Sequence, residues 1–531
     1  MNQNLEKRKN LYKSKGFHKP EDLLRNRQNQ QIEICRQNRE NAISANRLHF
    51  KTLAWTLNNE TVEKEDNEIS VESQFSFEEF EEISKNLLSD SMENQWEALT
   101  KFRNFLYIKN SSIFEKMKVF DLRIVLRFVE LLGSGNEYIQ WEASFILNYI
   151  IDSNDENYIQ TVINAGAIHL LISLLEKNKN FNYNLNRNII EHSIRSLINL
   201  AVKNNLYNHL ILNSGVLNPL LTILNNLQEN DSLFCIVACA LATFCSVQIK
   251  SEVNWYFITL ALPTLAQFLN CKDEMIIEKA CWTFGSIAEG GIKQIQRMIE
   301  LGICPTLIKL MNHPSCYVKL ASLRCVTNMV TGDDFQIQMI INCGVLQILK
   351  ELLSSSKEKD SQIRRESCLL LSNITAGTVE QVEIVYQIGL FPILIELMMV
   401  ADYYIRREAC CSVSNAIIQG RNNFELILNI VRLECISPLG EILLNDNDND
   451  LIYMILTAIQ IILHLNITSE DGTKIESYLE RIGVFSKIYD FQYHKNEEIN
   501  KIATYIIDNY FEEEEEEEEE IIKLISDIVL Y

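Results

Sequence analysis

Proline and glycine are scarce, with 7 and 17 among 531 residues, while 47% of the chain is hydrophobic. No stretch shows convincing strand alternation, so an almost wholly helical, all-α protein is expected. No window reaches about 18 uninterrupted apolar residues, and the polar N-terminal stretch lacks an apolar h-region. Neither a membrane-inserted segment nor a signal peptide is expected. With 8 His, no Gly-rich phosphate loop and no motif joining nucleophile, base and orienting group, an enzyme is not expected. The 14 Cys lie scattered through apolar helix positions, which suits a reducing compartment rather than a disulfide framework. Cys410 and Cys411 are adjacent and Cys235 and Cys239 are four apart, yet no Cys or His pair stands near them to complete a zinc site. They read as small buried hydrophobes, and no metal or cofactor is called for. The net charge of −22 argues against direct nucleic-acid binding and for cationic partners.

What the chain does contain is a repeat. Leu320–Gly344 (LASLRCVTNMVTGDDFQIQMIINCG) is one copy; Ile363–Gly377 (IRRESCLLLSNITAG) and Ile405–Gly420 (IRREACCSVSNAIIQG) follow it, and weaker copies precede it at 140–150, 190–201, 235–245 and 277–291. Aligned on one polar position they give Tyr149, Asn199, Thr243, Ser286, Asn328, Asn373 and Asn415, at intervals of 50, 44, 43, 42, 45 and 42 residues. That spacing fits the roughly 40 to 47 residues of armadillo or HEAT repeats. A second phrase follows each copy, as in INCGVLQILKELL (Ile341–Leu353); its glycine suits a helix C-terminus and its apolar run has i, i+3, i+4 spacing. No single repeat buries its own apolar face, so the copies stack into a helical solenoid, which offers a long shallow groove rather than a closed pocket.

The ends differ from the repeats. Residues 1–51 hold 12 Lys or Arg against 5 Asp or Glu, a net +7 on an acidic protein. Glu21–Leu48 reads as a polar helix with too few apolar residues to fold alone. Two readings stand: a disordered basic tail, or a helix that forms on a partner. Residues 52–74 form an acidic linker, the solenoid runs from 75 to 510, and 511–531 is an acidic tail opening on nine consecutive glutamates, Glu512–Glu520. The first repeat (75–106) lacks the polar marker, as a capping repeat should. The Asn-rich stretch 178–188 reads as an insertion that accounts for the interval of 50.

The order of a basic arm with RKNLYKSKG (Arg8–Gly16), repeats carrying TNMVTGDDFQIQ and RRESCLLLSNITAG, the closing YLERIGVFSKIYDFQYHKNEEINKIATYIIDNYF and an acidic run resembles importin-alpha, the adaptor for nuclear localisation signals. The resemblance covers essentially the whole chain. It implies a right-handed superhelical armadillo solenoid of about ten repeats with a flexible basic N-terminal arm, shuttling between cytoplasm and nucleus. It further implies a concave groove in which a Trp and an Asn one turn apart recur on successive third helices. The Asn amide would bond the backbone of an extended cargo peptide, the Trp rings would hold lysine stems, and acids at the slot ends would receive the cationic heads. By resemblance the cargo-binding residues are Asn199, Trp282, Ser286, Glu289, Arg324, Asn328, Asp334, Glu366, Asn373, Glu408 and Asn415. The Trp position otherwise holds Phe145, Arg195, Cys239, Leu369 and Cys411, and the N-terminal, major peptide site carries Lys203 and Lys279 where acids are expected. The C-terminal, minor site keeps Asp334, Glu366 and Glu408 and is therefore the expected cargo site.

The arm resembles the importin-beta-binding domain, and Arg8, Lys13, Lys15, Arg25, Arg27, Arg36, Arg39 and Arg47 are assigned to that contact. Its cargo-mimicking cluster is reduced to Ala45–Arg47, so autoinhibition is expected to be feeble. The C-terminal repeat and glutamate run align with the region that engages a recycling exportin. Other readings remain open at this point. Each Asn also suits the plain role of satisfying backbone groups, Glu366 and Glu408 follow arginine pairs and suit solvated surface ion pairs, and Trp282 suits core packing. The glutamate run suits a solvated tail, and loss of groove Trp suits a non-transport armadillo scaffold for a cytoskeletal or signalling partner.

Overall fold

A computed structural model describes residues 77–107, 122–153, 155–178, 184–246, 252–354, 361–467 and 474–511. The basic arm with its eight assigned cations, the linker and the Glu512–Glu520 run lie outside the described residues. Among the described residues the structure is α-helical apart from one 3-10 turn, Gly420–Asn422, and the connecting loops. No single described helix is long and apolar enough to cross a membrane.

The chain divides into two units, residues 1–214 and 215–531. In the first, the long helices Met92–Tyr107, Glu137–Asp152 and Asn184–Lys203 pack on one another in succession. Its start is closed by edge-to-face contacts of Phe102 with Phe80 and Phe128, at centroid distances of 5.7 and 5.4 Å. In the second, the same succession runs through Ser232–Cys245, Glu274–Ala288, Cys316–Met329, Ser361–Thr375, Tyr403–Gln419, Asn449–His464 and Glu497–Tyr510. Between consecutive long helices of this unit lie a shorter pair, such as Asp334–Asn342 and Val345–Ser354, or one helix, Glu252–Phe268. Several long helices start at Asx caps, among them those capped by Asp273, Asp402, Asp448 and Asn496, whose side chains accept from the first-turn amides. Each such cap stabilises its helix by about 1 kcal/mol.

The joint between the two short helices explains the recurring glycine. Gly344 has φ +88° and a Cβ there would meet nothing within 4 Å, so the requirement is the left-handed backbone rather than space. Gly166, Gly215, Gly302, Gly389 and Gly483 adopt the same conformation. One repeat keeps the joint without the glycine: Glu434 has φ 62°, and its amide donates to Val431 O at 2.9 Å as Gly344 N does to Ile341 O.

Neighbouring repeats are tied by glutamines. Gln336 closes a capping box with Asp333 and donates Nε2 to Ile292 O of the preceding repeat at 3.0 Å. Gln381 does the same from its own box with Thr378, reaching Asp334 O at 2.8 Å. The Asn-rich stretch is only partly an insertion. From Asn184 onward it is helical and lengthens Asn184–Lys203 to 20 residues, which is where much of the long interval goes.

Candidate functional site: a ladder of long helices

All seven marker residues lie on the long helices. In the second unit their side chains build a ladder with one repeating rule. Asn328 Nδ2 donates to Gly285 O at 3.1 Å, Asn373 Nδ2 to Thr327 O at 3.5 Å, and Asn415 Nδ2 to Ser372 O at 3.0 Å. Each acceptor is the residue immediately before the marker of the preceding helix. Asn328 and Asn415 are 3% and 5% exposed, so these amides satisfy carbonyls that are shielded from water. The plain role of the Asn is therefore real, and in each of these bonds it is the amide nitrogen that donates. Asn328 Nδ2 also reaches Glu289 Oε1 at 3.2 Å, so Glu289 joins the row.

Most charged residues of the proposed minor site fall into two half-buried clusters. Arg324 Nη1 pairs with Glu366 across consecutive long helices, both side chains about one-eighth exposed. Glu408, 8% exposed, is held by Arg407 Nη1 at 3.2 Å. Arg407 in turn grips Asp448 through Nε at 3.0 Å and Nη2 at 2.8 Å. The reading of Glu366 and Glu408 as solvated surface pairs is thus corrected: they lie between stacked helices, where water has little access. Burial pushes the Glu408 carboxyl above its ordinary value, against the opposing pull of Arg407 and Arg365. Asp448 was not among the residues singled out in the sequence, and Arg407 entered only as one of the arginine pair before Glu408. Their only signal was position, Arg407 directly before Glu408 and Asp448 at the start of the next long helix.

Trp282 is half-buried rather than a core residue, and its Nε1 donates to Glu278 Oε1 at 3.2 Å. Ser286 is likewise half-buried on the same helix, and Asp334 is exposed in the first turn of Asp334–Asn342. Arg365 stacks over the exposed Tyr404 ring at 4.6 Å.

Asn199 belongs to the first unit, where it keeps a variant of the rule. Its Nδ2 donates to the side chain of Asn148, the residue before marker Tyr149, at 3.2 Å. Around it the slots are altered. Phe145 packs against Tyr149 and His192 at 4.9 and 5.0 Å, and buried Arg195 is spent on Glu191 at 2.8 Å. Lys203 acts on Asp152. In the second unit Lys279 is 3% exposed, with burial pulling its ammonium below the ordinary value.

Comparison with known proteins agrees with this geometry. The Importin beta binding domain family matches residues 8–100, the Armadillo/beta-catenin-like repeat matches 292–331 and 333–376, and the Atypical Arm repeat matches 474–523. Importin subunit alpha-4 of Arabidopsis thaliana is 31% identical over 435 residues, 80% of this chain and 77% of that protein. Importin subunit alpha-1b of Oryza sativa subsp. japonica is 29% identical over 428 residues, with the same two coverages. The match to rice Importin subunit alpha-1a is 32% identical over 315 residues and spans 57% of that relative's length. A crystal structure of an engineered protein superposes with TM-score 0.67 at 22% identity, covering 81% of this chain and 98% of that one. It shares the armadillo fold.

Proposed function

The chain belongs to the importin-alpha family of nuclear import adaptors, and on that premise we propose that it holds basic peptides chiefly through the ladder from Trp282 to Asn415. The family and its importin-beta-binding domain make it a nuclear import adaptor, and nothing favours the cytoskeletal or signalling scaffold. The armadillo fold and family are those of non-enzymatic adaptors.

One observation carries the assignment of the site: Asn328, Asn373 and Asn415 recur in register, each with its nitrogen committed to the preceding helix. An amide carries two N–H donors and an acceptor oxygen, and of these the oxygen is the atom chemically suited to the N–H of an extended peptide. Recurrence at one residue per repeat matches a backbone contact made without reading side chains. Glu289, Glu366, Glu408 and Asp334 then supply the negative charge for lysine and arginine heads, with Trp282 as the cation-binding ring. In the first unit, Phe145 and Arg195 replace the Trp rings and Lys203 replaces an acid, so the slots there lack the negative charge that a lysine head needs. Asn199 alone offers little there, which is why the weight falls on the minor site. Importin-beta engages the arm, through Arg8, Lys13, Lys15, Arg25, Arg27, Arg36, Arg39 and Arg47. Return to the cytoplasm by a recycling exportin is assigned to the last repeats, where Tyr489, Tyr493 and Tyr505 are exposed.

Calorimetric titration of the full chain with a bipartite basic peptide tests the reading. The Asn373→Ala, Glu408→Ala double variant should lose about 2–4 kcal/mol of binding, while Asn199→Ala should change it by less than about 0.5 kcal/mol. Equal losses from both, or no binding by any basic peptide, would sink the minor-site assignment.

A further inference from the structure

Peptide binding leaves Cys235 and Cys239 unused. They lie one turn apart on Ser232–Cys245, the first partly exposed and the second 5% exposed. Residues at i and i+4 share a helix face with β-carbons about 5–6 Å apart, which puts the Cys235 thiol within reach of the Cys239 sulfur. The helix Glu274–Ala288 packs alongside in a fixed register: Thr283 Oγ1 donates to Ala242 O at 3.2 Å and meets Ser246 Oγ at 3.2 Å. One turn before Thr283 comes Lys279, which this register sets beside Cys239.

The charges around Cys239 are mixed. The Cys235 hydrogen bond and the Lys279 charge favour its thiolate, while burial, Asp273 and Glu278 oppose it, and the balance leaves the thiol below its ordinary value. Other buried thiols go the opposite way. Burial pushes Cys245 up to about 12 and Cys304 up to about 11.

We propose that Cys239 is a modification site for hydrogen peroxide, the nucleophile of a cluster in which Cys235 donates the hydrogen bond and Lys279 is the counter-ion. The slight exposure of Cys239 suits a small reagent. The thiolate sulfur attacks one peroxide oxygen: the S–O bond forms, the O–O bond breaks, and sulfur is oxidised by two electrons to the sulfenic acid. Hydroxide leaves and is neutralised by the proton that the thiol gave up on ionising, so thiol and peroxide together yield sulfenic acid and water. A disulfide to Cys235 does not follow, because its β-carbons would have to close to about 3.5–4.5 Å against the helical spacing. The sulfenic acid therefore persists, one turn before Thr243 in the groove row. This proposal stands apart from the peptide reading.

The test is peroxide treatment of the full chain with a 1,3-diketone trap and mass mapping across pH. Cys239 should label at least about tenfold faster than Cys245, with a midpoint below the ordinary thiol value of about 8.5. Lys279→Met should slow Cys239 by about tenfold and raise the midpoint, with helical content by circular dichroism as the folding check. Lys279→Arg should keep the labelling. Reaction confined to exposed Cys316, a wild-type midpoint at or above the ordinary value, or a folded Lys279→Met chain that labels like wild type would overturn the proposal.

Discussion

Asn415 on one long helix donates its side-chain amide to the Ser372 carbonyl of the preceding one, 3.0 Å away and 43 residues earlier. The bond does two jobs: it satisfies a buried carbonyl, and it turns the amide oxygen to a fixed outlook. Replacing Asn415 with alanine should therefore lower both stability and peptide affinity. Urea unfolding should show a loss of about 1–2 kcal/mol, and titration a parallel loss of binding. A stability loss with unchanged affinity would leave the Asn as packing alone.

Arg407 is the hinge of the charged network, with Asp448 at 2.8 Å and Glu408 at 3.2 Å. Arg407→Met leaves two half-buried carboxylates without their cation. Removing one partner of such a pair costs on the order of 3 kcal/mol, and thermal unfolding followed by circular dichroism should register it. A shift within error would mean that water reaches these acids freely.

Glu408 must be ionised to receive a cation, and burial raises its carboxyl above the ordinary 4.5. Protonation therefore begins at a higher pH than for a solvated glutamate. Peptide affinity should fall as pH drops through that raised value, and Glu408→Gln should bind weakly with a flatter profile. The stability sign is the reverse: the ionised form is the strained one, so the Glu408 penalty is relieved as pH falls through the same range. Affinity measured from pH 8 to 5 decides the matter, and a profile identical in the two proteins removes Glu408 from the site.

Glu434 holds a left-handed conformation that glycine holds in six other repeats. For an L-residue other than glycine this costs about 1–2 kcal/mol, partly offset by the greater unfolded-state freedom of glycine, about 0.4–1 kcal/mol. Glu434→Gly should stabilise the chain by about 0.5–1 kcal/mol in chemical denaturation. A destabilised variant would point to a Glu434 contact outside the joint.

The weakened cargo-mimicking cluster at Ala45–Arg47 yields a prediction for the arm. Deleting residues 1–60 should raise peptide affinity less than about tenfold, since tethering supplies local concentration but little contact remains to exploit. A far larger gain would show strong autoinhibition.

Much of the candidate site was legible because it recurs. A residue that returns every 42 to 45 positions at the same helical phase, as Ser286, Asn328, Asn373 and Asn415 do, occupies one face whatever the neighbours are. The charged network was less legible. Glu366 and Glu408 each follow two arginines, and the local reading pairs each acid with its own repeat. In the structure Glu366 takes Arg324 from the preceding long helix, while Arg407 beside Glu408 reaches forward to Asp448. Spacing along a chain does not say which of two equidistant cations a buried acid will meet.

The sequence by itself determined the repeat length, the helical class, the left-handed joint at each glycine and the marker row, because these follow from periodicity and backbone sterics within one repeat. Only the tertiary structure decided which end of each Asn amide is spent, which acids are buried, and that Lys279 stands beside Cys239. Those outcomes depend on the register between stacked helices. That register is set by side chains such as Thr283 and Gln381 reaching carbonyls some forty residues away, and no local pattern encodes it.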